Sequence, residues 1–97
     1  MEEIRIAAEQ GDAEAQYQLG LTYLDGKSSR KEQKIGFAWI QKAADQGHAE
    51  AMKKLSWCYL YGKGVSQNFK LALEISQKAY GTDAKVDMTK FGLLINK

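Results

Sequence analysis

The chain repeats itself. Residues 7–42 align on residues 43–78 without a gap, and 15 of these 36 positions are identical. AAEQGDAEAQYQLGLTYLDGK begins at Ala7 and AADQGHAEAMKKLSWCYLYGK at Ala43, so Gly11 matches Gly47, Ala13 Ala49, Ala15 Ala51, Leu19 Leu55, Tyr23 Tyr59 and Gly26 Gly62. A third, faded copy follows at the same offset, with Ala79 on Ala7 and Phe91-Gly92 on Leu19-Gly20. A period of this length marks units that cannot bury their apolar faces alone and therefore stack on their neighbours. It constrains the architecture closely and says little about what the stack binds.

Within each unit the apolar spacing is helical. Ala15, Leu19 and Tyr23 stand at i, i+4 and i+8, as do Ala51, Leu55 and Tyr59, which places each set on one helix face. Asp12 is placed to cap the first helix, and Gly26 and Gly62 are placed to end the first helix of each unit in a left-handed conformation. These helices are predicted over Ala13–Asp25 and Ala49–Tyr61. The second helices are predicted over Gln33–Gln46, with Ile35, Ala38, Trp39, Lys42 and Ala43 recurring at helical intervals, and over Phe69–Tyr80, capped by Asn68, with Leu71, Ile75 and Ala79. Glu2–Gln10 matches the second half of a second helix, and a last helix is predicted over Asp83–Leu94. The expectation is one all-α domain over residues 1–97: a half-repeat helix at 1–10, repeats at 11–46 and 47–82, and a partial third repeat at 83–97. Gly20, Ser56 and Gly92 share one place in the three copies. A glycine inside a helix costs up to ~1 kcal/mol relative to alanine, so a small residue there implies a neighbouring helix passing close by.

Ninety-seven residues suffice for one small domain with a modest core. No run approaches the ~18 apolar residues of a membrane span, and the start Met1-Glu2-Glu3-Ile4 is acidic where a secretion signal is basic, so a cytoplasmic protein away from membranes is expected. A single cysteine, Cys58, permits no internal disulfide and reads as a small, partly buried hydrophobe. The formal charge of +2 hides an asymmetry. Residues 1–26 carry six acids and one base, −5, and residues 27–97 carry thirteen bases and six acids, +7. Such an uneven field could orient a partner, although solvated helix faces are the simpler account of most of these charges.

The run A-E-Q-G-x-A-E-A-x-x-x-L-G-x-x-Y-x-x-G, followed by a loop and a second helix ending in K-A-A, resembles the Sel1-like repeat, a relative of the tetratricopeptide repeat. The resemblance is clear over residues 1–80 and weak over 81–95. The first loop departs from it with Ser28-Ser29 in place of the Gly-Val seen as Gly64-Val65. Ser56 stands where glycine is usual, and the third unit lacks the Ala-Ala-x-x-Gly element. The resemblance implies a right-handed superhelix of antiparallel helix hairpins. The first helices would line a concave face. Family members generally act as protein-binding adaptors, and some bacterial relatives are immunity proteins. A cysteine-rich branch staples its hairpins with disulfides, which one cysteine cannot do.

If the first helices line a groove, the face away from the Ala-Leu-Tyr stripe meets the partner. In the first unit that face carries Glu14, Tyr17, Leu21, Leu24 and Asp25; in the second, Glu50, Lys53, Trp57, Leu60 and Tyr61; in the third, Val86, Thr89 and Leu93. These positions change between copies while the stripe holds, so stacking does not dictate them. Aromatic anchors such as Tyr17, Trp57 and Tyr61 often dominate binding energy, and a groove of this kind grips an extended or helical peptide. Alternatively, Trp57 and Leu21 fill space between neighbouring first helices.

Enzyme chemistry has little support. His48 is the single histidine, at a helix start, with no second histidine or cysteine at metal-ligand spacing and no partners for a nucleophilic triad. There is no GxxxxGK[ST] loop, and no cofactor is expected. The basic stretch Lys27-Ser28-Ser29-Arg30-Lys31 with Lys34 could meet phosphate or an acidic partner, or simply be solvated. It neighbours an acidic region, which argues against nucleic acid. The expectation is a non-enzymatic module that binds another protein or peptide. The alternative is a self-assembling element that oligomerises through an open C-terminal helix bearing Phe91, Leu94 and Ile95.

Overall fold

The computed structural model describes residues 2–80, and within them it forms five helices and no strand. They are α1 (Glu2–Glu9), α2 (Ala13–Tyr23), α3 (Arg30–Asp45), α4 (Ala49–Tyr61) and α5 (Phe69–Tyr80). Each packs on its neighbour in sequence: α1 on α2, α2 on α3, α3 on α4 and α4 on α5. The helix expected over Asp83–Leu94 lies outside the described residues.

The 36-residue echo is visible atom by atom in the links. Gly11 and Gly47 adopt φ of 100° and 87°. This left-handed step lets the Asp12 amide reach back to the Ala7 carbonyl at 3.0 Å, and the His48 amide to the Ala43 carbonyl at 3.3 Å. One residue on, Asp12 Oδ1 accepts the Ala15 N–H at 2.8 Å and caps α2. In the second copy the cap is His48, whose Nδ1 accepts the Ala51 N–H at 3.0 Å. Asn68 Oδ1 likewise takes the Leu71 N–H at the start of α5.

Two ends differ from expectation. Helix α3 begins at Arg30, three residues before Gln33, because Ser29 and Glu32 form a reciprocal capping box. The Glu32 N–H donates to Ser29 Oγ at 3.1 Å and the Ser29 N–H to Glu32 Oε1 at 2.9 Å. Helix α2 stops at Tyr23, and Gly26 is not its left-handed terminator. The Leu24 N–H closes the helix on the Gly20 and Leu21 carbonyls, after which Asp25 Oδ1 holds the turn through the Lys27 N–H and the Ser28 hydroxyl. Gly62 does take the expected role, with φ of 69° and its N–H on the Cys58 carbonyl.

Burial follows the repeat. Ala8, Ala15 and Leu19 form one buried cluster, with Ile4, Ala7, Tyr23 and Trp39 against it. Leu24, Ile40, Ala43, Ala51, Leu55 and Cys58 form the other. On α3 the buried residues are Gly36, Ile40 and Ala43; of the expected set, Ala43 is buried and Trp39 half-buried against the first cluster, while Ile35, Ala38 and Lys42 are exposed. The reason is the close approach of α2. A Cβ on Gly20 would stand 2.7 Å from Ile40 Cγ1, and one on Gly36 would stand 2.9 Å from the Gly20 carbonyl oxygen. The small residue at position 20 is therefore a packing requirement, and it turns Gly36 and Ile40 inward.

Candidate functional site

Helix α2 places the first-unit residues in three different settings. Glu14 is exposed at the start of the helix. Its carboxylate accepts the Gln18 amide at 2.8 Å and meets His48 Nε2 at 2.6 Å, and these two contacts, Gln18 first, hold it below the ordinary carboxylate value. Tyr17 is half-buried with its ring 4.9 Å from that of His48. Burial foremost, and then the charge of Glu50, pushes its hydroxyl up. Leu21 is half-buried against the second core cluster. Leu24 is a correction: at 8% exposure it belongs to that core, where its Cγ would lie 2.9 Å from a Cβ on Gly36, and it offers no surface to a partner. Asp25 is exposed, but its Oδ1 is engaged by the α2–α3 turn.

Helix α4 presents a more open surface. Trp57 is half-buried, and its ring carries the Lys54 ammonium 3.8 Å from its centroid, a cation–π pair. The Tyr61 ring lies 5.5 Å from it at a 57° tilt, and Tyr61 is 57% exposed. Leu60, 36% exposed, is beside it in sequence. Lys53 is half-buried with its ammonium 3.5 Å from Glu50. Val86, Thr89 and Leu93 lie outside the described residues.

Sequence reasoning missed the polar joint between the repeats. His48 works on both sides. Its Nδ1 accepts the helix N–H, so Nε2 is the nitrogen that carries the proton and donates to Glu14 on α2. Beside it, Gln46 Nε2 donates to the Gly11 carbonyl at 2.9 Å and to Gln16 Oε1 at 3.0 Å, while buried Gln16 donates to the Ala8 carbonyl at 3.1 Å. The repetition of Gln10 at Gln46 was the available signal for such a joint. Cys58 is wholly buried, and burial pushes its thiol up to about 11, so it is a core atom and a poor nucleophile. Among the described residues no three His, Cys, Asp or Glu side chains converge as metal ligands. No helix there is long and apolar enough to cross a membrane.

The sequence profile described as Sel1 repeat matches residues 13–48 and 49–81, two stretches that begin 36 residues apart. No curated protein matches the chain significantly. Among solved structures the fold is similar to the crystal structure of a Sel1 repeat protein from Oxalobacter formigenes, with a TM-score of 0.75 and 34% sequence identity. That likeness covers 95% of this chain and 28% of the other, so this chain spans little more than a quarter of its relative's length. The chain belongs to the Sel1 repeat family, whose members are generally protein–protein interaction modules and typically not enzymes.

Proposed function

We propose that this protein is a non-enzymatic adaptor or immunity-type module that grips a protein or peptide along the surface shared by α2 and α4. The observation that carries this reading is the cluster at the end of α4. Tyr61 and Leu60 are exposed beside a Trp57 ring already flanked by a cation. Exposed aromatic surface around a half-buried tryptophan is the usual composition of a binding hot spot. Lys53 and Lys54 border it on α4, and Glu14 stands across the joint on α2. A peptide laid over both helices therefore passes the Glu14 carboxylate on α2 and the Lys54 ammonium at Trp57 on α4, two opposite charges that orient it. We place this role in the bacterial cytoplasm, the setting the family likeness and the lone buried thiol support.

The test is capture of partner proteins by the wild-type chain, by Trp57→Ala and by Tyr61→Ala, each with its mass measured by light scattering. Partners lost by both variants at unchanged mass support the groove; partners retained by both overturn it. Ile6→Asp is the control, because Ile6 is an exposed apolar residue on α1, away in sequence from both α4's aromatic cluster and the C-terminal end.

The second reading is self-assembly through the C-terminal end. It is favoured by the exposure of Phe69 and Leu73 on α5, which leaves apolar surface on the last described helix. Phe91, Leu94 and Ile95, the residues expected to mediate it, lie outside the described residues. A mass that halves on Phe91→Asp favours assembly over the groove.

A further inference from the structure

We propose that the cleft between the first turns of α3 and the α4–α5 loop is an oxyanion site, built to take the phosphate or carboxylate group of a ligand. The cleft encloses about 420 Å³ and is lined by Arg30, Gln33 and Lys34 from one repeat and Gly62, Gly64, Val65 and Ser66 from the next. Arg30 and Lys34 stand one helical turn apart on the same face of α3. Like charges so placed repel each other and weaken a helix slightly unless something neutralises them.

Nothing among the described residues does so. No carboxylate lines the cleft, and neither cation makes an ion pair or a side-chain hydrogen bond there. The acid nearest in sequence, Glu32, is already spent on the Ser29 N–H. The opposite wall offers donors as well. Within the described residues, the amides of Gly64, Val65 and Ser66 donate no hydrogen bond. A guanidinium fork, an ammonium and a hydroxyl line one space, with loop residues whose N–H groups have no acceptor among the described residues, and together they form a donor set matched to an oxyanion.

The cleft is also held open by the backbone. Gly64 sits at φ of 78°, and a Cβ there would stand 2.3 Å from the Gln33 carbonyl oxygen, so the loop rests directly on α3. Any side chain at position 64 would lift the loop and spoil the cleft. The first repeat builds nothing similar. Its equivalent residues are Ser28 and Ser29, whose hydroxyls are taken by Asp25 and by the Glu32 N–H. Among the described residues the site is therefore a property of this one junction, and its lining residues are distinct from those of the α2–α4 surface.

The probes are sodium phosphate and sodium acetate at pH 7, titrated against sodium chloride at constant ionic strength, with backbone amide shifts recorded for the intact chain. Saturable shifts at Gly62, Gly64, Val65 and Ser66, absent in chloride, are expected. The double substitution Arg30→Gln, Lys34→Gln should weaken them about tenfold or more while amides elsewhere keep their positions. Tighter phosphate than acetate identifies a phosphate-bearing ligand; the reverse identifies an acidic side chain. Shifts that rise linearly and match those in chloride overturn the proposal. So does saturation that survives the double substitution.

Discussion

The two hairpins share a sequence pattern and solve the same packing problem differently. In α2–α3 the helices touch backbone to backbone at Gly20 and Gly36. The equivalent pair in α4–α5 is Ser56 and Ala72, 36 residues on, and there the Ser56 hydroxyl donates to the Ala72 carbonyl at 2.7 Å. The cover differs too. Cys58 is fully buried beneath α3, and Tyr59 meets Phe37 edge-on at 5.5 Å and 87°. Thr22, the counterpart of Cys58, is exposed. The cause is length: α1 aligns with Ala38–Asp45 alone, so among the described residues nothing plays the part of Arg30–Phe37 over α2. A cleft of about 320 Å³ lined by Thr22, Tyr23, Asp25, Lys27, Ser28 and Glu32 occupies that ground. A repeat thus specifies its own stripe, while the neighbour decides what the stripe's flanks become.

Exchanging the contact pairs should break the comparison most directly. Gly20→Ser with Gly36→Ala writes the second hairpin's residues into the first. Each new Cβ gains up to ~1 kcal/mol of helix propensity but enters a space under 3 Å wide, where overpacking costs ~1–3 kcal/mol. The net expectation is a loss of about 2 kcal/mol in denaturant unfolding. The reverse exchange, Ser56→Gly, also destabilises, by ~1–2 kcal/mol, through lost propensity and a lost hydrogen bond. A first hairpin unharmed by the double substitution would show that the glycine contact is not what sets its spacing.

Leu24 and Leu60 sharpen the same contrast. They occupy one place in the repeat, yet one is 8% and the other 36% exposed. Leu24→Ala should cost about 2–3 kcal/mol of stability, and Leu60→Ala less than about 1 kcal/mol, measured by thermal and denaturant unfolding. Partner capture should respond the other way round. Thiol chemistry reads the matching pair on the opposite flank. Cys58, with its thiol pushed up to about 11, should resist a disulfide reagent at pH 8 until the chain unfolds. Thr22→Cys in a Cys58→Ala background should react as an open thiol.

The stripe was legible in the sequence because it is local. Ala15, Leu19, Ala51 and Leu55 are buried as the i, i+4 spacing requires, and the caps at Asp12 and Asn68 stand where short polar residues precede apolar runs. What was misread depends on a neighbour. Leu24 has the spacing of a groove residue and is in the core, because α3 passes at glycine distance. On α3, Ala43 is buried as its spacing suggests, but Gly36 and Ile40 take the places expected of Ile35 and Ala38 for the same reason. The start of α3 is a different kind of miss: Ser29-x-x-Glu32 is a local signal, overlooked inside a run of charges. The Lys54–Trp57 stack and the His48–Glu14 link are choices among rotamers and repeats that no spacing encodes.

The smallest expected effect lies in that link, where the two repeats differ by one cap. Asp12 and His48 hold equivalent places, but only the histidine reaches the previous unit. Glu14 titrates below its ordinary value, held there by the Gln18 hydrogen bond first and by the hydrogen bond and charge of His48 after it. Because the folded value lies beneath the unfolded one, the stabilisation is complete above the unfolded carboxylate's titration and is lost as pH falls through the folded value. His48→Asn keeps a cap acceptor for the Ala51 N–H but removes the basic partner. The Glu14 carboxyl, followed by carbon-13 shifts, should then titrate at a higher pH, though still below the ordinary value. Gln18→Ala should raise it as well, with the His48 pairing intact. If His48→Asn produced the larger rise, the joint between repeats rather than the turn within α2 would govern this carboxylate, and the stack would be electrostatically coupled where it is held here mainly by packing.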